Sequence, residues 1–378
     1  MPLNPLVKDI EISGIRKFYN LINGKKDIIS FTIGQPDFKT PEHIKRAAVQ
    51  AIDDNRTAYT DNAGLLRLRE SASSFFNKKY GFVYDACDEI IVTAGASQAI
   101  DVALRTILSP GDEVILPGPI YPGYEPVVEI CGAKAIYCDT RESGFKLTPA
   151  LLQEKISERT KCIILNYPTN PTGVTLSRTE LEAIADILRG RDVFILADEI
   201  YSELTEGHFS IASILREQTI VVNGLSKSHA MTGWRIGFLL APREIRAEIL
   251  KVHQYNITCA TSISQYAAIA ALEEGLNDAL PMREDYEKRR QYVYERLVNM
   301  RLETTYPDGG FYFFVKLPDD WKDHSFGFAL DLVEKAKVAV IPGSAFSKYG
   351  EGYFRLSYAC SMENLVEGLN RLEKYLRR

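Results

Sequence analysis

The chain has 378 residues, 46% hydrophobic and 25% charged, with a formal net charge of -5. That length exceeds one simple core and calls for a large domain with a smaller companion. Ordinary globular usage with a slight acidic excess leaves no basis for a nucleic-acid partner.

Six cysteines, Cys87, Cys131, Cys138, Cys162, Cys259 and Cys360, are scattered without a C-x-x-C pair or a nearby histidine ladder. The spacing argues against a disulfide framework and against a zinc site, so reduced, mostly buried thiols and no metal are expected. The opening MPLNPLVKDIEISGIRKFYNLI lacks a charged-then-apolar leader pattern, and no apolar run approaches bilayer length. A soluble, cytoplasmic protein with no membrane partner is expected.

In chain order, FTIGQPDFKTP carries a glycine and two prolines and reads as a loop. Strand-like runs then alternate with helical patterns: EIIVTAG and SQAIDVALRTIL, EVILPG, AKAIYCD, CIILNYP and SRTELEAIADILRG, VFILADEI, TIVVNGLS and RIGFLLAP. This alternation predicts an α/β fold, a mostly parallel sheet of seven strands with helices on both faces. The runs are apolar nearly throughout, as double burial requires. After about residue 285 come a charged helix REDYEKRRQYVYERL, the turn PDGG, a strand FYFFVKL, a helix around FALDLVEKA, a strand VAVI and a strand YFRLSYA. The closing helix keeps Leu365, Leu369 and Leu372 on one face. The expected division is a large domain over 46–284 and a smaller α+β domain built from 1–45 and 285–378.

Ligands of an open parallel sheet bind outside the carboxyl ends of its strands. The residues standing there are therefore the candidates. Ala96 and Ser97 in TAGASQ sit at a strand-to-helix junction, where free N–H groups favour an anion, though Ser97 suits a simple cap equally well. Asp198 ends an apolar strand and needs a cation or strong donor, or else caps a helix. Lys227 follows TIVVNGLS, where partial desolvation can lower its pKa toward carbonyl attack and proton transfer; elsewhere a lysine is a solvated surface charge. Arg235 offers a planar fork to a dianion or a weak surface ion pair. Asn170 and Tyr201 can donate to a ring oxygen, while Asn-Pro also suits a plain turn. Neither G-x-G-x-x-G nor G-x-x-x-x-G-K-[ST] occurs, which argues against dinucleotide or nucleoside-triphosphate chemistry.

Nearly the whole chain resembles the aspartate and aromatic aminotransferases, pyridoxal-phosphate enzymes of fold type I. The resemblance rests on GQPDF, YT with the later AGL, TAGASQA, PGPIYPGY, NYPTNPTG, ADEIY, GLSK with MTGWRIG, PGSAF and FRLSYA, in that order. It implies that Lys227 forms a Schiff base with the cofactor, that Asp198 keeps its pyridine nitrogen protonated, and that Tyr201 and Asn170 meet the ring hydroxyl. Tyr121 would stack on the ring, and Ala96, Ser97 and Arg235 would hold the phosphate. Tyr59 would reach the phosphate of a neighbouring subunit, which implies a homodimer with shared sites. Arg355 would clamp the substrate α-carboxylate, with the Gly34 backbone N–H beside it. One departure is Gly224, where some members carry a further phosphate-binding serine; backbone amides would then matter more.

The implied reaction is transfer of an amino group between an L-amino acid and a 2-oxo acid, with 2-oxoglutarate as acceptor. Within the family the chain looks most like the N-acetyl-LL-diaminopimelate aminotransferases of lysine biosynthesis, with aspartate or aromatic aminotransferases as the alternative. A carbon-sulfur β-lyase needs the same lysine, aspartate and phosphate site. A non-catalytic sensor is disfavoured because no basic helix-turn-helix extension is present.

Overall fold

The computed structural model describes residues 1, 3–8 and 10–377. A short β1 (Ile29–Ser30) precedes the seven strands that the alternating pattern predicts. These are β2 (Ile90–Thr93), β3 (Glu113–Gly118), β4 (Lys134–Asp139), β5 (Thr160–Asn166), β6 (Phe194–Asp198), β7 (Thr219–Gly224) and β8 (Gly237–Leu240). They form one sheet in the order β2-β8-β7-β6-β5-β3-β4. β8 runs antiparallel to β2 and β7, and the other pairings are parallel.

Every residue of β2, β3, β7 and β8 is buried. Their continuous apolar runs follow from covering on both faces, because successive side chains point to opposite sides. In β5, Cys162 and Ile164 join one core cluster while Ile163 and Leu165 join another. The edge strand β4 is only partly covered. Helix Arg178–Leu188 begins at a capping box in which Ser177 and Glu180 bond each other's backbone N–H.

The chain ends come together. β9 (Tyr312–Lys316), β10 (Val338–Ala339), β11 (Ile341–Pro342) and β12 (Tyr353–Ser357) make two small sheets. β1 pairs in parallel with β10, and β11, β12 and β9 form an antiparallel three-stranded sheet. The single strand expected over VAVI is therefore split between two sheets. Val338, Ala339, Val340 and Ile341 are all fully buried, so the run stays apolar through the switch and the pattern carries no sign of it. The helix expected from Arg283 starts earlier, at Ala279, and runs to Asn299, so the expected boundary at 284/285 falls inside it. Pro281 is tolerated because the first helical turn has no intrahelical use for its missing N–H.

All six cysteines are free; Cys138, Cys162 and Cys360 are buried, whereas Cys131 and Cys259 are partly covered and Cys87 is exposed. Among the described residues no helix is long and apolar enough to cross a membrane. Helix Met362–Leu376 packs Leu365, Leu369 and Leu372 fully into the core. Leu369→Ala should cost about 2–5 kcal/mol through lost burial and the cavity left behind. Urea denaturation checks this, and a loss below about 1 kcal/mol would show that the helix face is not a core element.

Candidate active site

One cavity of about 740 Å³ opens at the carboxyl ends of the central strands and is lined by Gly34, Ala96, Ser97, Tyr121, Asn170, Asp198, Tyr201, Lys227, Arg235 and Arg355. Ten of the eleven residues singled out from the sequence thus meet in one place. The exception is Tyr59, which is 86% exposed and outside this lining.

Asp198 closes β6 and is 4% exposed. Its Oδ2 accepts the Tyr124 hydroxyl at 2.6 Å and its Oδ1 accepts the Ile200 N–H at 3.2 Å. Only a short 3₁₀ turn at Ser202–Leu204 follows, so Asp198 holds a local turn and caps no α-helix. Burial pushes its carboxyl up to about 6, against the pull of the Tyr124 and Ile200 donors. Asn166, at the end of β5, donates to the Asp198 carbonyl at 3.2 Å and accepts the Asn170 N–H at 3.2 Å. Neighbouring strand ends are thereby tied to each other.

Lys227 stands in the short helix Leu225–Ser228 directly after β7. Its Nζ donates to the Gly34 carbonyl at 2.5 Å and lies 5.8 Å from the centre of the Tyr201 ring. No carboxylate pairs with it among the described residues. Burial, then repulsion from Arg355 and Arg235, lowers its pKa to about 8, with Asp198 opposing. This is no ordinary surface lysine. The Tyr201 hydroxyl meets that of Tyr312 at 2.9 Å.

Gly95 precedes helix Ala96–Ile107 with φ of +84°, a left-handed conformation that favours glycine. Its carbonyl accepts the N–H groups of Gln98 and Ala99, and the Ala94 N–H goes to Gln98 Oε1. The N–H groups of Ala96 and Ser97 have no partner among the described residues, and the Ser97 side chain makes no cap. Arg235 lies against this turn: a Cβ on Gly95 would sit 2.5 Å from its Nη2. The guanidinium is held by the carbonyls of Thr232 at 3.1 Å and Ala94 at 3.3 Å and forms no ion pair among the described residues. Two free N–H groups, a helix N-terminus and an uncommitted cation make an anion site.

The departure at Gly224 has a steric basis. A Cβ there would lie 2.9 Å from the Ile236 carbonyl oxygen and 3.1 Å from Gly237 Cα, across the β7–β8 pair. A serine would not fit without a backbone shift, which leaves the anion to amides and Arg235.

Arg355, on β12, is 2% exposed. Its Nη1 donates to Asn170 Oδ1 at 2.9 Å and its Nη2 to the Thr32 carbonyl at 2.8 Å. The guanidinium lies 4.3 Å from the Tyr312 ring centre and 5.1 Å from that of Phe346. Its Nε has no partner, and no carboxylate pairs with it among the described residues. Burial lowers its pKa. A buried, uncompensated charge is costly, and a ligand carboxylate would supply the missing partner.

Tyr124, Tyr312, Asn166 and Arg16 also line the cavity and escaped the sequence reading. Tyr124 sits three residues beyond Tyr121 inside PGPIYPGY, and Asn166 at a strand end, so position alone could have flagged both. Tyr312 is the second residue of FYFFVKL and looks like core in sequence.

An amine at lowered pKa, set between an anion site and an unpaired guanidinium, marks a protein that works on the amino group of carboxylated ligands. Comparison with known proteins gives the same class: residues 26–372 match the model of aminotransferase class I and II, and the chain belongs to that family. It is 60% identical to a probable N-acetyl-LL-diaminopimelate aminotransferase of Bacillus subtilis, covering 99% of this chain and 95% of that one. The aromatic aminotransferase of Pyrococcus horikoshii superposes with a TM-score of 0.90 at 40% identity, covering 96% and 98% of the two chains. The aspartate aminotransferase of Thermus thermophilus, solved with maleate, gives 0.93 at 35% identity over 99% of each chain.

In cofactor-free protein, acylation of Lys227 should rise with a midpoint near pH 8, against the ordinary 10.5. Arg355→Met should move that midpoint upward, because it removes a repelling charge. Peptide mapping across a pH series reads both values. A wild-type midpoint at the ordinary lysine value would mean that the amine is fully solvated.

Proposed function

We propose that the protein is a pyridoxal-phosphate-dependent aminotransferase that passes an amino group from N-acetyl-LL-diaminopimelate to 2-oxoglutarate. The observation that carries this reading is that Arg355, buried without a counter-ion among the described residues, shares a cavity with Lys227 and with the N–H groups of Ala96 and Ser97, which have no partner there. The residues present suit the cofactor: Ala96, Ser97 and Arg235 for its phosphate, Asp198 for its ring nitrogen, Tyr201 and Asn170 for its ring hydroxyl, Tyr121 for its ring face and Lys227 for its aldehyde. When bound, pyridoxal phosphate supplies an aldehyde that condenses with amines and a ring that takes up the electron pair left on the substrate α-carbon.

The chain's own groups do the rest. Arg355 holds the α-carboxylate, which orients the α-carbon hydrogen toward Lys227, with the Gly34 N–H as a further donor. With a pKa near 8, the Lys227 amine is partly neutral at neutral pH and can accept that proton and return it. The Asp198 carboxyl, pushed up only to about 6, is mostly ionised at neutral pH and balances a ring N–H⁺. The Tyr124 hydroxyl keeps it in place.

The 60% identity to the Bacillus subtilis protein supports the diaminopimelate donor. The aspartate and aromatic aminotransferases among the solved structures support the second reading, that aspartate or an aromatic amino acid is the donor. Tyr59, exposed and away from its own cavity, fits a cytoplasmic homodimer in which it reaches the partner's phosphate site. We take 46–284 as the cofactor-binding domain, with 1–45 and 285–378 as the small one; the β1–β10 pairing supports joining the chain ends.

A panel of amino donors against 2-oxoglutarate tests the reading, with N-acetyl-LL-diaminopimelate expected to give the highest kcat/KM. Activity confined to aspartate or aromatic donors would transfer the assignment to the second reading. Borohydride reduction of the holoenzyme should attach the pyridoxyl group to Lys227, and a label on another lysine would end that assignment. Arg355→Ala should lower kcat/KM for every donor by roughly 2–5 kcal/mol, about thirtyfold to several-thousandfold. An undiminished kcat/KM would remove Arg355 from the site.

A further inference from the structure

Two buried hydroxyls meet in the wall of the cavity. Tyr201, three residues past the end of β6, and Tyr312, which opens β9, are 111 residues apart in the chain, yet their hydroxyl oxygens lie 2.9 Å from each other. Tyr201 is 4% exposed and Tyr312 1%. Neither hydroxyl has another hydrogen-bond partner among the described residues.

The two rings are held in place by packing. Phe311 meets both of them edge-on, with centres 5.6 Å from Tyr201 and 4.6 Å from Tyr312. The Arg355 guanidinium covers the Tyr312 ring, and a Cβ on Gly34 would lie 3.2 Å from the Tyr312 hydroxyl oxygen, so the Gly34 backbone closes over that group. The charged groups around the pair are Arg355, Asp198 and Lys227, with Tyr121 as a third phenol.

A phenol has one proton to give and two lone pairs to receive. If Tyr201 donated to Tyr312, its proton would be lost to any ligand, and the Tyr312 proton would stay buried without an acceptor, which costs stability. Donation from Tyr312 meets both needs, because its own proton is paired and the Tyr201 proton is left for a ligand oxygen.

We infer that Tyr312 is a positioning residue, whose hydroxyl donates to the Tyr201 oxygen and thereby commits the Tyr201 proton to the ring hydroxyl of the bound cofactor. This rests on the placement of Tyr201 beside that ring hydroxyl proposed above. The donation polarises the Tyr201 O–H and makes it a stronger donor. A donor on the ring oxygen draws charge away from the neighbouring Schiff-base proton, so that proton leaves at lower pH. Tyr312 acts on the cofactor through Tyr201.

Spectral titration of the holoenzyme tests this, because the visible band follows protonation of the Schiff base formed by Lys227. Tyr312→Phe removes one oxygen and keeps the ring on Arg355, so its effect is confined to the hydroxyl. The midpoint should rise by roughly 0.3–1 pH unit, about a twofold to tenfold change in the proton equilibrium. Tyr201→Phe should raise it further, and the double variant should match Tyr201→Phe alone. A lower midpoint in Tyr312→Phe would mean that Tyr312 takes the Tyr201 proton away from the ring, and an unchanged one that the pair has no influence; either overturns the inference. So does a double variant that departs from Tyr201→Phe, since Tyr312 would then act by a separate route. A midpoint unmoved by Tyr201→Phe, or no titrating band in wild type, would instead overturn the placement of the cofactor, and the role of Tyr312 with it.

Discussion

A guanidinium held almost wholly out of water, with no acid beside it among the described residues, is the constraint around which this site is organised. Arg355 is kept there by an amide oxygen, a backbone carbonyl and two aromatic faces. None of these cancels its charge. Such an arrangement costs stability in the free protein and lowers the pKa of the nearby Lys227 amine. The cost becomes binding energy when an anionic ligand arrives. Burial is the larger cause of the lowered amine pKa and the cations add to it, so anion recognition and amine activation share the same partly dry, cationic cavity.

The opposite end of the cavity solves its electrostatic problem with backbone. Two glycines make this possible: Gly95 adopts the left-handed turn that exposes the Ala96 and Ser97 amides, and Gly237 on β8 lets that turn pack directly on the strand. A Cβ at Gly237 would sit 2.5 Å from the Gly95 carbonyl carbon and 2.7 Å from the Ala96 nitrogen. Gly224 is bare for the related reason that β7 and β8 approach closely there. The antiparallel β8 thus brings Arg235, which precedes it, alongside the helix start that follows β2. Sheet order, more than any single side chain, assembles the anion site.

Much of this was legible in the sequence. Apolar runs alternating with helical patterns specified the seven-stranded sheet, because double burial leaves few polar positions along a strand, mostly near its ends. Seven of the ten candidate residues that meet in the cavity, Ala96, Ser97, Tyr121, Asn170, Asp198, Tyr201 and Lys227, stand at strand ends of the large sheet or in the segments just after them, where a parallel sheet gathers ligands, while Arg235 precedes β8, Gly34 follows β1 and Arg355 comes from β12. Where pattern was silent, the structure differed: VAVI divides between two sheets although every residue is buried, and the helix before Arg283 begins four residues early under a proline. Arg16 was missed since nothing local distinguishes a cavity-lining arginine on an amphipathic helix from a surface residue, whereas the place of Tyr124 beside Tyr121 was legible and its bond to the distant Asp198 was not.

Local sequence determined the fold class, the strand ends and the identity of the chemical groups, since hydrophobic periodicity and turn residues act over a few positions. Only the tertiary structure decided the state of those groups. Whether Asp198 caps a helix or meets Tyr124, whether Asn170 is a turn residue or bonds Arg355, and whether Arg16 faces solvent or a cavity depend on partners up to 185 residues away in the chain. Charge, burial and pKa belong to the environment that distant segments create, and that environment exists only once the chain has folded.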